Sequence, residues 1–246
     1  MCEDTALDSA ARDIARSGYA IRDHVAIQRW LGPAWSGWRE FSQSWNQLPE
    51  DLYMADGGRY RRRRFAVFDV CGQTVSRAPH QPHFQALAYN RLNGGVARWF
   101  EPVSDAVAAH PITCRIVGGA ASIFQTLFGG GEEKRPWHVE MHQFRIEAVR
   151  GRSGLPTPEG IHRDGVEGVV VMLVNRQNVS SGVTELFDPQ GRRLGAFTLA
   201  RPGDCVFLDD NRVLHGVTPI TPLDPVEPGI RDVLVVTFQR LRGKPG

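Results

Sequence analysis

The chain has 246 residues, of which 41% are hydrophobic and 23% are charged, and its formal net charge is +2. This composition can bury a sizeable core, which excludes pervasive disorder, and the nearly balanced charge does not favour a nucleic-acid partner. The length suits either one large β-barrel domain or two small domains.

The N-terminal half is predicted to be rich in helices. Apolar residues at helical spacing predict a helix over 5–17, and Tyr19-Ala20-Ile21 then predicts a short strand. Residues 24–47 carry four of the six tryptophans in a mostly helical pattern that breaks at Gly32-Pro33. We interpret these tryptophans as core packing. Further helices are expected over 104–109 and 116–128.

A basic run between residues 59 and 64 contains five arginines and leads into the apolar segment 65–68. This pattern predicts a strand whose arginines face the interior and the solvent in turn. An inward arginine beside a pocket would suit an acidic small molecule, whereas a solvated strand face would need no ligand.

The residue pattern of the C-terminal half is typical of an all-β structure. Side chains alternate over 137–149, and strand signals separated by turn residues recur at 168–174, 183–188, 194–199, 204–209, 213–218 and 231–240. Short, evenly spaced strands predict a sandwich or jelly roll. We find no linker, so we expect a single domain over 1–246, in which a helix-rich part (5–128) braces a jelly-roll core (137–240).

Three residues of the C-terminal half form a candidate metal site. On an extended segment residues i and i+2 point the same way, so His162 and Asp164 can reach one ion, and His215 would join them from a distant strand. Two imidazoles and a carboxylate on one face of the ion are the ligand set of non-heme iron(II) oxygenases. The alternative is a β-protein in which these are ordinary surface residues.

An arginine that begins the last predicted strand, Arg231, suits an anionic cosubstrate held beside the metal. Its planar guanidinium can bind a carboxylate with two parallel hydrogen bonds. The glycine-rich stretch 129–136, by contrast, lacks the Gly-Lys-Ser/Thr ending of a phosphate-binding loop, so nucleotide binding is not expected there.

These motifs resemble the bacterial iron(II)/2-oxoglutarate-dependent dioxygenases that include L-isoleucine 4-hydroxylase and related free amino-acid hydroxylases. The resemblance spans residues 50 to 240 and is carried by segments 53–63, 89–95, 142–146, 158–165 and 229–233. It implies a double-stranded β-helix (a cupin-like jelly roll) with iron(II), 2-oxoglutarate and O2 as cofactors. In this family the trailing arginine, here Arg231, pairs with the distal carboxylate of 2-oxoglutarate.

The resemblance also directs attention to further residues. Many such enzymes share the 2-oxoglutarate carboxylate with a Ser or Thr two positions after the arginine, but this chain has Val233 there. Thr184 and Gln143 are the candidates for that role. Four polar residues are candidates for binding the substrate: Arg62, Arg64, Asn93 and Arg145. Because Gln143 and Arg145 share one face of a strand, both are expected to point into the barrel.

The expected substrate is a small free amino acid or a close derivative, oxidised at its side chain. Three alternatives stay open: a larger or carrier-bound natural-product intermediate, a cupin-like metal protein without 2-oxoglutarate chemistry, and a silent regulator with the same fold. Arg231 speaks against the cupin-like protein, and the intact triad speaks against the regulator. Hydroxylation, sulfoxidation, desaturation and ring formation all stay open, whereas Asp164 disfavours halogenation.

The compartment and partners follow from composition. Four scattered cysteines without a CxxC motif are expected to be reduced, which favours a cytoplasmic location. An acidic N-terminus without a following apolar segment predicts no signal peptide, and no apolar run approaches the length of a membrane helix. Neither a membrane nor a nucleic-acid partner is expected, and the oligomeric state is left open, a homodimer included.

Overall fold

A computed structural model describes residues 5–129 and 136–241. Most of the glycine-rich stretch, and the N-terminal Cys2, lie outside these residues. The helices are α1 (Thr5–Ser17), α2 (His24–Leu31), α3 (Trp38–Gln43), α4 (Asp105–Ala108) and α5 (Pro111–Phe128), with 3-10 turns at Gly32–Gly37 and Ser44–Gln47. These bounds confirm the predicted helices and the break at Gly32-Pro33.

The strands are β1 (Tyr19–Arg22), β2 (Arg61–Cys71), β3 (Thr74–Arg77), β4 (Trp137–Ala148), β5 (Gly168–Gln177), β6 (Val179–Ser181), β7 (Thr184–Phe187), β8 (Arg193–Phe197), β9 (Cys205–Asp209), β10 (Leu214–Val217), β11 (Ile220–Pro222) and β12 (Gly229–Arg240). Every strand predicted from the sequence is present. The short strands β3, β6 and β11 were not predicted; their segments (TVSR, VSS and ITP) contain no apolar run.

The strands form one large sheet and two small ones. The large sheet has seven strands in the order β1-β9-β5-β12-β4-β2-β3. The small sheets, β10-β7-β8 and β11-β6, complete the barrel, and neighbouring strands run antiparallel throughout. The fold is therefore mainly β with flanking helices, a double-stranded β-helix, as predicted.

The outer face of the large sheet packs against the helices. Alternate side chains of its central strands belong to one apolar cluster with residues of α1, α2 and α5. Phe124 of α5, for example, is fully buried, with its ring centroid 5.1 Å from that of Phe238 in β12. Burial of an aromatic side chain contributes about 1.5–3 kcal/mol, so this contact fixes which face of the sheet the helices cover. No helix in the described part of the chain is long and apolar enough to span a membrane.

The inner face of the large sheet lines a cavity of about 360 Å³. Odd-numbered residues of β2 and β12 and even-numbered residues of β4 point into it, because side chains alternate along each strand. Apolar residues of β5, β7 and β9 close the space between the large sheet and the small sheet β10-β7-β8. The cavity thus lies inside the barrel, on the side away from the helices.

The N-terminal part is joined to the barrel by backbone contacts. Strand β1 pairs with β9 and forms one edge of the large sheet. The buried indole N–H of Trp45 lies 3.1 Å from the carbonyl oxygen of Phe144 in β4 and 3.3 Å from that of Val233 in β12. The helix-rich part therefore shares hydrogen bonds and a core with the strands that follow it.

We expect the chain to unfold as one cooperative unit. Tryptophan fluorescence, which reports mainly on residues 30–45, and far-UV circular dichroism, which reports on the sheets, should give coincident denaturant transitions. A fragment of residues 137–240 should fail to fold, because it lacks β1 and β2 and the helices that cover the large sheet. Two separable transitions, or a stably folded fragment, would contradict the single-domain prediction.

Candidate active site

The three predicted metal ligands meet at the mouth of the cavity. His162 and His215 form an isolated antiparallel bridge, with N–O distances of 2.9 and 2.8 Å, which places their imidazoles side by side. The ring centroids are 4.6 Å apart. The Asp164 carboxylate lies 3.9 Å from His162 Nε2 and 3.7 Å from His215 Nε2. Because their ligand atoms all lie within 4.8 Å of one another, one ion could bind all three.

The protonation of the two histidines suits a metal. His162 Nδ1 lies 3.0 Å from the carbonyl oxygen of Gly160, which can only accept, so in the neutral ring Nδ1 carries the proton and the Nε2 lone pair is available to a metal. Burial, together with neighbouring His162, lowers the pKa of His215 to about 4, so this ring is neutral at pH 7. Burial also lowers the pKa of His162, but the carboxylates of Asp164 and Glu159 outweigh it and the net shift is upward. The donor set fits iron(II).

A buried carboxylate positions the loop that carries Asp164. Asp210 accepts hydrogen bonds from the backbone N–H groups of Asp164, Gly165 and Val166, at 3.0, 2.7 and 3.1 Å. Burial and the charge of Asp164 raise the pKa of Asp210 to about 7 despite these hydrogen bonds. A cation held by Asp164 would offset the repulsion between the two carboxylates. No sequence motif marks Asp210, which directly follows β9.

Arg231 lies at the start of β12 with its side chain directed into the same cavity. The residue is 1% exposed, and neither Nε nor NH2 has a hydrogen-bond partner among the described residues. Burial, with a contribution from Arg176, lowers its pKa to about 10, so the guanidinium stays charged at pH 7. An unpaired charge in a buried site is costly, so this geometry calls for an anionic ligand.

Four of the predicted binding residues face away from the cavity. Arg62 bonds to Glu147 and Arg64 to the carbonyl oxygen of Pro102, while Gln143 donates to Ser44. Arg145 makes two hydrogen bonds to Asp232, at 2.7 and 2.8 Å. The expectation that Gln143 and Arg145 point into the barrel was wrong, because they do share a strand face but it is the face opposite the cavity, and Arg62 and Arg64 likewise lie on the opposite face of β2.

The two other candidates lie beside the cavity and not in its lining. Asn93 is buried, and its side-chain oxygen accepts from the N–H of Ala55, which ties two loops together. Thr184 is buried on β7 opposite Val217, a lining residue. A Cβ added at Gly182, two residues earlier, would lie 3.6 Å from Arg231 Cδ, so Thr184 stays a candidate neighbour of the cosubstrate.

Several lining residues were missed by the sequence analysis. The inward arginines of the basic run are Arg61 and Arg63, and Arg98 joins them from the loop that follows β3. Two polar side chains reach the triad itself: Gln85 Nε2 lies 3.4 Å from Asp164 Oδ1, and Glu159 Oε1 lies 3.4 Å from His162 Nε2. The alternation of β4 could have identified the inward residues once one of them had been placed.

A second group of metal-type ligands also lines the cavity: His83, Glu140 and His142. Arg63 NH2 lies 2.7 Å from His142 Nδ1, and a guanidinium can only donate, so the proton of this imidazole sits on Nε2. A protonated Nε2 has no lone pair for a metal. Hydrogen bonds from His138 and His83 outweigh burial and lower the pKa of Glu140 to about 2. We therefore interpret His83, Glu140 and His142 as a hydrogen-bonded cluster around the Glu140 carboxylate and not as a second metal centre.

Comparison with known proteins gives a consistent family assignment. The profile of the family described as 2OG-Fe dioxygenase matches residues 42–237. L-isoleucine-4-hydroxylase of Bacillus thuringiensis is 27% identical over 160 residues, a match that covers 63% of this chain and 64% of that protein. The 3(1)-hydroxy-L-isoleucine 4-dioxygenase of Pantoea ananatis is 22% identical over 82% of this chain and 80% of its own length.

Solved structures share the fold. The crystal structure of a bsmA homolog from Methylobium petroleophilum is 36% identical, with a TM-score of 0.86 over 95% of this chain and 93% of that one. The structure of IDO from Bacillus thuringiensis has a TM-score of 0.78 at 17% identity, covering 96% of this chain and all of that one. At that identity the likeness concerns the fold alone.

Replacing Asp210 should weaken metal binding without unfolding the chain. Asp210→Ala leaves three backbone N–H groups without their acceptor and frees the loop that carries Asp164. Loss of such a supporting contact typically lowers metal affinity by about 10- to 100-fold. Titration of the metal-free protein with cobalt(II), followed by its visible absorption, measures the change.

Asp188→Ala is the matched control. Asp188 also accepts hydrogen bonds from two backbone N–H groups, those of Gln190 and Arg192, in the turn between β7 and β8. The Asp188→Ala variant should bind cobalt(II) like the parent protein. Equal affinity of Asp210→Ala and the parent would show that Asp210 does not position the metal ligands.

Proposed function

Because the chain belongs to the 2OG-Fe dioxygenase family, we propose that it oxidises the side chain of a small free amino acid or a close derivative. Iron(II), 2-oxoglutarate and O2 are the cofactors of this family, and 2-oxoglutarate is converted to succinate and CO2 in the reaction. Hydroxylation is the outcome that the names of the curated relatives suggest.

We assign the metal to His162, Asp164 and His215, whose ligand atoms converge and whose histidines are in the required tautomer or charge state. Bound iron(II) supplies the activation of O2 and the oxidation of an unactivated C–H bond. Gln85 holds Asp164 from the loop side, and Asp210 fixes the backbone beneath it. Both contacts keep the Asp164 carboxylate beside the two imidazoles.

The observation that carries the proposal is the unpaired guanidinium of Arg231 in the same cavity as the triad. A dicarboxylate can bind the metal at one end and Arg231 at the other, and Thr184 is our candidate for a second contact to the distal carboxylate. The side chains of Val171, Val233 and Val235 give the same cavity an apolar wall. A cupin-like protein that binds only a metal has no use for such a buried charge.

The substrate class rests on cavity size, charge and the named relatives. A volume of about 360 Å³ lies at the small end of the range of about 300–1,000 Å³ for ligand pockets, which favours a small molecule. Cationic and anionic side chains both line it, as a zwitterion requires. We also propose a reducing, cytoplasmic setting, which suits iron(II) and the free thiols of Cys71, Cys114 and Cys205.

We expect a subset of free L-amino acids to stimulate succinate formation from 2-oxoglutarate in the presence of iron(II) and ascorbate. The panel covers the free amino acids and the same residues loaded on a carrier protein, with product mass identifying the oxidation. His215→Ala is the inactive control. Stimulation by carrier-bound forms alone would overturn the free amino-acid assignment and favour a natural-product intermediate.

Arg231→Ala should raise the concentration of 2-oxoglutarate needed for half-maximal turnover while leaving cobalt(II) binding intact. Removing a charge-assisted pair from a buried site costs about 2–5 kcal/mol, which corresponds to tens- to thousands-fold in affinity. The control is Arg192→Ala, which removes an arginine with an 81% exposed side chain from a surface turn. An unchanged 2-oxoglutarate requirement would rule Arg231 out as the anchor.

A further inference from the structure

Three buried arginines form a second cationic position in the cavity. Arg61 and Arg63 point inward from β2, and Arg98 lies on the loop segment that pairs with His83. Their exposures are 5%, 4% and 2%. We call these three residues the arginine cluster.

Aromatic rings hold the cluster rigid. The guanidinium carbon of Arg63 lies 3.7 Å from the ring centroid of Phe100 and 4.6 Å from that of Phe144. The guanidinium carbon of Arg61 lies 5.5 Å from the ring centroid of Phe144, and that of Arg98 lies 5.6 Å from the ring centroid of Phe100. Planar stacking of this kind orients guanidinium groups before any ligand arrives.

The cluster carries more positive charge than its direct ion pairs neutralise. Asp51 bonds to Arg61 Nε at 2.7 Å and lies 4.0 Å from Arg63, whereas Arg98 has no salt bridge with any described residue. Arg61 NH2, Arg63 Nε and Arg98 Nε are buried without a hydrogen-bond partner in the described structure. Buried donors without acceptors are rare in proteins, so these three nitrogens are available to donate hydrogen bonds to an anionic ligand.

Arg61 and Arg63 of the arginine cluster lie on β2, whereas Arg231 lies on β12. Arg61 and Arg231 are both register partners of Ile146 in β4, on its two sides. Neighbouring strands are about 4.8 Å apart, so the two arginine backbones are separated by roughly 10 Å. A 2-oxoglutarate molecule held by Arg231 and the metal therefore leaves the arginine cluster for a second ligand.

Nearby carboxylates narrow the chemistry of that ligand. Glu140 and Glu159 line the same cavity, and Glu159 Oε2 is buried without a partner in the described part of the chain. Two carboxylates would repel a doubly charged phosphate but would accept hydrogen bonds from an ammonium group. The set of three guanidiniums beside two carboxylates thus matches a zwitterion.

We propose that the arginine cluster binds the α-carboxylate of the amino-acid substrate, with Glu159 or Glu140 receiving its ammonium group. This inference rests on the proposed function and adds the residues that select its substrate class. It separates two anion sites in one cavity: Arg231 for 2-oxoglutarate and the arginine cluster for the substrate. The substrate side chain is then the part that is free to reach the metal.

Binding to the metal-free protein tests the proposal without any turnover. L-isoleucine, L-isoleucinamide and 2-oxoglutarate are titrated separately by calorimetry into the parent protein, Arg98→Met and Arg231→Ala. Arg98→Met should bind L-isoleucine at least tenfold more weakly and 2-oxoglutarate within twofold of the parent. Arg231→Ala should show the reverse pattern. The amide, which lacks the negative charge, should bind the parent about as weakly as the acid binds Arg98→Met.

The matched control is Arg62→Met, because Arg62 belongs to the same basic run but faces the other side of β2 and pairs with Glu147. Its affinity for all three probes should equal that of the parent. If Arg98→Met does not fold, Arg98→Lys keeps the charge without the fork geometry and should lose part of the L-isoleucine affinity.

The proposal is overturned if a folded Arg98 variant binds L-isoleucine like the parent, or if acid and amide bind the parent equally. It is also overturned if none of the free L-amino acids, tested in place of L-isoleucine, binds in a way that depends on Arg98. These outcomes are distinct from failure of the proposed function, which would appear as absent amino-acid-stimulated succinate formation.

Discussion

The central strands of the large sheet are buried on both faces, and the whole structure depends on which side chains each face receives. Helices cover one face and the cavity occupies the other, so a shift of one residue in β2, β4 or β12 would exchange the two sets. Directional contacts on the helix side hold the register. The Trp45 indole bonds to backbone carbonyls of β4 and β12, and Arg145 pairs with Asp232 directly opposite it. Asp232, which follows Arg231 in β12, forms its ion pair with Arg145 on the helix side of the sheet. Because side chains alternate along a strand, Arg231 then points into the cavity.

Buried and partly buried arginines on the two sides of the sheet differ in their hydrogen-bond partners. On the helix side, Arg145 and Arg62 each have a carboxylate within hydrogen-bonding distance. On the cavity side, Arg231 and Arg98 have buried nitrogens without partners in the described structure. A protein tolerates an uncompensated buried charge only when something else offsets its cost. Among these four arginines, the two on the cavity side are the ones without a carboxylate partner in the described structure.

Strand positions, helices and the grouping of His162, Asp164 and His215 could be predicted from the sequence, because each leaves a signal in it. Apolar runs mark the strands, and the spacing of His162 and Asp164 follows from their extended backbone. The direction of the polar residues could not be predicted in the same way. Four consecutive arginines carry no alternation, so Arg62 and Arg64 were preferred over Arg61 and Arg63. Residues 137–148 carry polar side chains on both faces, which hid the outward placement of Gln143 and Arg145. Contacts between distant loops, such as that of Asp210 with Asp164, leave no local signal at all.

The two proposed anion sites take arginines from different strands of one sheet, which bears on specificity. If 2-oxoglutarate is fixed by Arg231 and the substrate carboxylate by the arginine cluster, the distance from cluster to metal determines which carbon is oxidised. That distance depends on the register of β2, β4 and β12, which is fixed by the packing of the hydrophobic core. The loop residues Phe84 and Tyr89, by contrast, line the cavity without belonging to any strand. Changes in this loop can alter the shape offered to the substrate side chain while both carboxylates keep their positions. On this proposal, selectivity among amino acids and the site of oxidation are set by different parts of the chain.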